Sequence, residues 1–560
     1  MSKRVVILGG GVGGMSAAHE LVERGFQVQV FEKRRIAGGK ARSVPVPKSG
    51  TDGRRDLPGE HGFRFFPRFY KHLPDTMSRI PVGDGRTAAD NLVETSRLEY
   101  PLIGQAPIVA VDRFPRSLDD WLLMFKDLTT DYGFLPGEQE FFATRIWQIL
   151  TSCEDRRLDE YERLGWWSYI GAEGRSEAYQ KFLAGGLTRS LNAAKAQLAS
   201  TRTIGDVLVQ LMFDILTPGM SSDRLLNGPT NDVWINPWLD YLRGKGVDYR
   251  FGVHFERLNV VDGRIASVTL REHETLFEVQ ADYYISAVPL EVMAPRVSKE
   301  MLAVDPTLQG IINIRKNVQW MNGIQFYLKQ DVPIVHGHEL YVDSAWALTS
   351  VSQAQFWPNF DFSQAGDGTV KGILSVDISE WEVKGSEQYT GGRIAKDCTH
   401  EQIANETWFQ LKQSLNRPGA EVITDEMLHS WFLDPDMVPV YHPDDPTRER
   451  DAEQLLVNYI NSWDSRPDAY TRIPNLFLAA DYVRTYTDLA TMEGANEAAR
   501  RAVNSIIDAS GSSASLCKLW KLHEPEIFAP WRLNDQARYD AGMPWDGELD
   551  LGKRIGRLFG

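Results

Sequence analysis

Val5-Val6-Ile7-Leu8-Gly9-Gly10-Gly11-Val12-Gly13-Gly14 stands at the head of the chain, and its reading decides the fold. The four consecutive apolar residues have the character of a parallel strand buried on both faces. Gly9, Gly11 and Gly14 then fall in the spacing GxGxxG. In that spacing the first glycine allows a tight turn. The second lets a pyrophosphate approach the backbone, and the third lets a helix pack closely on the strand. The pattern predicts a helix from Met15 to Arg24, with Ala17, Ala18, Leu21 and Val22 on one face and Gly25 as its stop. A second strand is predicted over Gln27 to Glu32. Strand, helix and strand in so short a stretch make a crossover unit, with dinucleotide phosphates at the helix N-terminus. Glu32 follows the last glycine by 32 − 14 = 18 residues. A carboxylate there suits the hydroxyls of an unphosphorylated ribose, which favours NAD or FAD over NADP.

The continuation separates FAD from NAD. Glu32-Lys33-Arg34-Arg35-Ile36-Ala37-Gly38-Gly39-Lys40-Ala41-Arg42-Ser43 holds a second glycine pair followed by cations. Such a segment wraps a pyrophosphate from its other side with charge from Lys40 and Arg42, unless both are solvated surface cations. From Val5 to Ser43 the chain resembles the two-part FAD signature of the monoamine-oxidase and phytoene-desaturase superfamily: GxGxxG, a strand-ending Glu, then GG(R/K)xxS. The resemblance implies FAD held by Gly9, Gly11, Val12, Gly13, Gly14, Glu32, Lys33, Gly39, Lys40 and Arg42. Gly252-Val253-His254-Phe255 resembles the strand whose valine backbone meets the adenine, against the plainer reading of Val253 as a core residue. Phe477-Leu478-Ala479-Ala480-Asp481 resembles the late strand whose acid bonds the ribityl chain. Thr491-Met492-Glu493-Gly494-Ala495 resembles the turn at which helix amides face the flavin N1/O2 edge, where reduced flavin is negative. With no cysteine near residues 481–492, the FAD is expected to be non-covalent.

Glu60-His61-Gly62-Phe63-Arg64-Phe65-Phe66 resembles the ExGxHxFF segment that lies under the isoalloxazine in plant and cyanobacterial carotene desaturases. Gly62 falls on the family glycine, with Phe63 beside it, and Arg64 replaces the family histidine. A guanidinium stays protonated at any working pH, so no proton role carries over. Arg64 is instead a candidate for binding a substrate carboxylate or carbonyl, or else a structural ion pair. Thr491 stands where amine oxidases of the superfamily carry an aromatic, and Ala490-Thr491-Met492-Glu493 is closer to the desaturase Ala-Ser-Met-Glu. Arg64 and Thr491 are therefore the two candidate catalytic residues.

The 560 residues exceed one core, so two or three domains are expected. The fold class read from the pattern is α/β: a Rossmann-like FAD-binding domain with a parallel sheet, of glutathione-reductase type, interrupted by a mixed α+β substrate domain. Its pieces are 1–67, 228–295 and 451–510. Residues 68–227, read as mainly helical with Asp119 to Leu128, Glu138 to Leu150 and Thr203 to Ile215 clearest, and 296–450 form the substrate domain. Single strands are predicted over Tyr249 to Leu258 and Phe277 to Val288, with a hairpin turn at Asp262-Gly263. Residues 511–560 are read as a tail.

The formal charge of 61 − 76 = −15 opposes nucleic-acid phosphates. The three separated cysteines give no metal site and indicate a reducing, cytoplasmic compartment. No apolar run is long enough for a transmembrane helix. Peripheral contact at the inner membrane face is the remaining membrane expectation, through Trp520, Ile527, Phe528, Trp531, Ile555, Leu558 and Phe559, with packing on the body as the alternative.

Trp166, Trp167, Trp320, Phe326, Tyr327, Trp346, Phe356, Trp357, Trp381, Trp431 and Phe432 offer walls for an apolar tunnel, or else serve as core. The resemblance then implies a dehydrogenase or desaturase that takes hydride from a C–H bond of an apolar, polyene-like substrate to flavin N5, with oxygen or a quinone as the final electron acceptor. No side chain need act as a strong base if the resulting cation loses its proton to flavin or a neighbour. Three rivals stay open: an amine or amino-acid oxidase, a redox-neutral isomerase or cyclase, and a flavin-holding scaffold without turnover.

Overall fold

The computed structural model describes residues 2–60, 62–112, 133–186, 195–216, 221–437 and 453–548. The opening segment forms β1 (Arg4–Leu8), α1 (Val12–Glu23) and β2 (Gln27–Glu32). The helix begins three residues ahead of the predicted Met15, because Gly13 and Gly14 lie inside its first turn. Glycine costs roughly 1 kcal/mol against alanine in a helix interior. Space decides here: a Cβ on Gly14 would stand 1.9 Å from the Gly9 carbonyl oxygen, and one on Gly13 2.0 Å from that of Ala479.

Five parallel strands make the first sheet, in the order Asp248–Phe251, β2, β1, Tyr283–Ser286, Leu476–Leu478. Two of its members were read from the sequence as parts of longer strands. The run from Tyr249 to Leu258 breaks at Gly252, whose φ of +74° turns the chain. Asp248–Phe251 stays in the parallel sheet, while Val253–Val261 pairs with Arg264–Glu272 in a separate three-stranded antiparallel sheet. The run from Phe277 to Val288 likewise divides into Thr275–Val279 of that sheet and Tyr283–Ser286 of the parallel one. Asp262 and Gly263 turn the hairpin with φ of +49° and +74°, the left-handed pair that a tight two-residue turn demands.

The second large sheet has seven strands, with Gly372–Ile378 third in the order, between Asn322–Leu328 and Leu348–Ser352. Alternate residues point to opposite cores. Ile324, Phe326 and Leu328 join Trp408 and Leu411 of the His400–Leu415 helix. Tyr327 and Ile373 join Leu57, Phe63 and Trp357 on the other face. The region 68–227 is less helical than its pattern predicted. It contributes Arg97–Tyr100 and Ile108–Val111 to the edge of this sheet, short strands whose partner Gly337–Leu340 is remote in sequence. The helices Glu138–Thr151 and Thr201–Leu216 do form, and Asp119 to Leu128 lies outside the described residues.

The stretch after 510 is not a loose tail over its described part. Ala529–Asp540 is a helix whose buried Asp535 accepts from the Cys153 amide (2.9 Å) and from Arg156 Nε (3.0 Å). Phe528 and Trp531 set their rings edge-on to Trp147. Ile527 and Leu533 remain exposed, and Ile555, Leu558 and Phe559 lie outside the described residues. Among the described residues no helix is long and apolar enough to cross a membrane.

Candidate active site

A cavity of about 770 Å³ opens at the carboxyl ends of the parallel strands. Gly9 follows β1, Glu32 ends β2, Ala287 follows Tyr283–Ser286, and Ala479 to Asp481 follow Leu476–Leu478; all line it. This is where an open α/β sheet binds ligands, at the point where the strand order reverses on either side of β1.

The two glycine segments meet at one end. The Gly38 N–H donates to the Gly10 carbonyl (3.0 Å), and a Cβ on Gly39 would lie 2.8 Å from the Gly11 Cα. Gly11 is the N-cap of α1 and brings no side-chain hydrogen bond, so the first-turn amides at Val12 and Gly13, which line the cavity, have no cap from their own helix. Glu32 is held rigidly: Oε2 accepts from the Gly10 N–H (2.7 Å) and Oε1 from the Arg34 N–H (2.8 Å). A carboxylate has about four acceptor positions, so two remain for a ligand.

The cations divide. Lys40 lines the cavity and pairs with Glu291 at 2.8 Å. Burial works against its charge, but Glu291, Asp481 and Glu453 outweigh this and hold the ammonium above the ordinary lysine range. Lys33 also lines the cavity, with its pKa lowered by burial and by Arg34. Arg42 does not line it. Its guanidinium is buried against Asp434 (3.1 Å), Asp436 (3.0 Å) and Glu453 (3.1 Å), and it donates to the Gly39 carbonyl (2.9 Å). The structure thus corrects the phosphate role expected of Arg42: it braces the second glycine pair from behind.

Gly14 and Gly62 are likewise absent from the lining, and both are explained by packing. Gly62 lies flat on the seven-stranded sheet, its Cα only 2.4 Å from where a Cβ on Gly323 would stand. A Cβ on Gly62 itself, where φ is +95°, would meet Asp377 Oδ1 at 1.8 Å. Phe63, Arg64, Val253, Asp481, Thr491 and Met492 all line the cavity. Arg64 donates to the carbonyls of Lys40 (2.8 Å), Ala41 (3.2 Å) and Phe63 (3.2 Å), which ties the glycine segment to the Phe63 loop.

At the other approach, Thr491 caps the Met492–Ser510 helix by accepting from the Gly494 N–H (3.1 Å), and the buried Tyr70 phenol bonds the Thr491 side chain. Glu493 turns away from the cavity. It accepts from the amides of Lys71, His72 and Leu73, each at 2.8 Å, and from His72 Nδ1 at 2.7 Å. The Trp520 N–H donates to His72 Nε2 (3.0 Å), so the imidazole carries its proton at Nδ1 and donates it to Glu493.

None of the eleven aromatics proposed as tunnel walls lines this cavity. Trp320, Phe326, Trp346 and Trp381 fill one sheet core, and Tyr327, Phe356, Trp357 and Phe432 the other. The apolar lining includes Phe63, Phe65, Tyr70, Met321 and Ile378. Asp377, which sequence reasoning passed over, stands among them. Burial pushes its carboxyl up to about 7, Arg64 and His338 oppose that, and Glu60 adds to it. A lone aspartate in a strand gives no sequence signal of this kind.

Over residues 12–507 the chain matches the profile of a family described as flavin containing amine oxidoreductase. It is 33% identical over 279 residues to the carotenoid phi-ring synthase of Chlorobaculum tepidum, covering 48% of this chain and 40% of that protein. To the all-trans-zeta-carotene desaturase of Myxococcus xanthus it is 31% identical over 155 residues, covering 25% of this chain and 27% of the relative. The chain therefore spans less than half the length of these curated relatives. The solved cyclohexylamine oxidase of Brevibacterium oxydans IH-35A superposes with a TM-score of 0.59 at 12% identity, covering 91% of this chain and 100% of that one, a likeness of fold.

Proposed function

From the premise that this chain belongs to the family of flavin containing amine oxidoreductases, we propose that it binds FAD without a covalent link and oxidises a C–H bond of a long, apolar, isoprenoid-like substrate. The observation that carries the reading is convergence: Gly9, Gly11 to Gly13, Glu32, Gly39 and Lys40, Val253, Asp481 and Thr491 to Met492 come from five separate stretches and line one cavity. The residues fit a dinucleotide. The uncapped amides of α1 offer donors to phosphate oxygens, and any side chain at Gly39 would fill the gap beside Gly11. The names of the relatives, a phi-ring synthase and a zeta-carotene desaturase, support a carotenoid-like substrate.

Bound there, FAD supplies a hydride acceptor. The chain's own work is positional. Val12 and Gly13 bind phosphate, Glu32 orients ribose hydroxyls, and Lys40 adds charge on the opposite side. Thr491 caps the helix whose N-terminus would meet the flavin, and Phe63, Phe65, Tyr70 and Met321 would exclude water from a bound substrate. On this reading residues 1–67, 228–295 and 451–510 carry the cofactor and the intervening segments carry the substrate.

Purified protein is expected to be yellow and to release free FAD on denaturation, and its flavin absorbance should bleach anaerobically with zeta-carotene. Yellow protein that amines bleach with peroxide release, and zeta-carotene leaves unchanged, would assign it to amine oxidation instead. Glu32→Ala frees the buried Gly10 amide and the half-buried Arg34 amide and removes the ribose acceptor. Charge-assisted hydrogen bonds are worth roughly 1.5–3 kcal/mol, so FAD affinity should fall about 10- to 100-fold in a flavin-quenching titration.

A further inference from the structure

Asp377 is one of three acidic residues of the cavity wall that the family resemblance does not account for; the other two, Glu291 and Glu453, pair with Lys40 and Arg42. Asp377 stands near the end of the Gly372–Ile378 strand, with Gly323 and Thr349 as its register partners on either side. Glycine at 323 and at 62 lets the Gly62 loop rest directly on the sheet, and the Asp377 carboxylate abuts the Gly62 Cα. The Phe63 amide donates to it. Its carboxylate thus emerges into the cavity beside Phe63, Arg64 and Thr349.

The charges around it are defined. Arg64, from the loop above, favours the carboxylate; Glu60, from the same loop, disfavours it. Glu60 is itself anchored, accepting from the Thr230 N–H at 2.9 Å. From Gly337–Leu340, His338 favours the carboxylate, and its ring lies against Phe63 and Phe65 at 5.2 and 5.6 Å between centroids. His338 is bonded through Nε2 to Asp223, which holds the far end of the loop through the Phe66 amide (3.0 Å). Behind it, Asp112 accepts from Thr95 Oγ1 at 2.7 Å. Burial alone would strip His338 of its proton, but Asp223, Asp112 and Asp377 hold its pKa above the ordinary histidine value. Asp377 therefore has Phe63 and Arg64 beside it in the cavity wall and, behind them, His338 backed by Asp223 and Asp112.

We infer that Asp377 is a catalytic residue, the carboxylate that accepts the proton lost when a substrate C–H bond is oxidised in this cavity. The inference rests on the flavin reading above. The step balances: one C–H bond yields its hydrogen with both electrons to the flavin, which is reduced. The C–H bond on the adjacent carbon gives its proton to Asp377, and the electron pair left behind closes the C=C bond. Asp377 is then a carboxylic acid until it passes the proton on.

The test uses the flavin-loaded protein with Asp377→Asn and Asp377→Glu, measuring flavin content, the pH dependence of the oxidised flavin absorbance, and anaerobic bleaching by zeta-carotene. Both variants should retain flavin. Wild-type absorbance should titrate near 7, where burial places the Asp377 carboxyl, and Asp377→Asn should abolish that titration. The carboxylate is the acceptor, so the wild-type bleaching rate should rise with pH through the same range. Loss of a positioned base costs about 10²- to 10⁴-fold, so Asp377→Asn should be slower by that much and flat in pH, with Asp377→Glu partly restored. An Asn variant that bleaches at the wild-type rate, or that keeps the spectral titration, overturns the assignment. Colourless protein overturns the flavin reading and this inference with it. If wild type is yellow and titrates but zeta-carotene does not bleach it, the substrate reading fails, and the absorbance titration of Asp377→Asn alone decides whether Asp377 is the proton-holding group.

Discussion

Gly13→Ala is expected to give folded but colourless protein. The new methyl would stand 2.0 Å from the Ala479 carbonyl oxygen and 3.6 Å from that of Ala495. Both are backbone atoms, one at the end of a buried strand and one in the first turn of the Met492–Ser510 helix. No side chain can swing aside, so α1 must shift, and its uncapped amides shift with it. Overpacking of this kind costs about 1–3 kcal/mol in stability. The larger loss is in binding, since phosphate contacts depend on the placement of those amides. Gly244→Ala is the control: it sits at the end of the Asn236–Gly244 helix with nothing within 4 Å of its Cβ position, and should be neutral or slightly stabilising. The ratio of flavin to protein absorbance and the thermal midpoint read both. A Gly13→Ala protein with full flavin and an unchanged midpoint would contradict the packing described for α1.

Arg42→Met is expected to be the most destabilising of these changes. Arg34 still pairs with Asp436 and Glu453, while Asp434 loses its ion pair with Arg42. Asp434 and Glu453 are almost fully enclosed, and removing one partner of a buried pair costs about 3–5 kcal/mol. The sign of the pH dependence follows. In the variant the enclosed carboxyls gain folded pKa values above their unfolded ones, so the native state binds the extra protons and stability recovers as pH falls. Denaturant unfolding at two pH values measures this. The double variant Arg42→Met/Asp434→Asn should regain part of the loss, and strict additivity of the two single effects would refute the coupling.

These cases show which parts of the molecule were legible in its sequence. The β1–α1–β2 unit was, because its strand, glycines and terminal acid are neighbours and each obeys a local rule. The segments at Val253, Asp481 and Thr491 were placed by resemblance, and all face the same cavity. Arg42 was misread because its acidic partners lie 392 and 411 residues away, and no local pattern separates a phosphate-binding cation from a buried brace. Asp377 escaped for the same reason: its setting is made by strand register and by two glycines whose roles appear only when loop meets sheet. The aromatics were ambiguous in kind, since a tunnel wall and a core draw on the same side chains. The split strands turned on Gly252, which periodicity alone treats as a weak spot inside one strand.

The cavity is closed by residues from opposite ends of the polypeptide, Gly9 to Gly13 at one extreme and Ala479 to Ala495 at the other. Synthesis runs from the first to the second at about 5–20 residues per second, so the nascent chain spends on the order of a minute with only half of its grip. Cofactor capture is therefore a late event in synthesis: a product stalled before the Met492–Ser510 helix has the glycine cradle and lacks the opposite wall of the cavity.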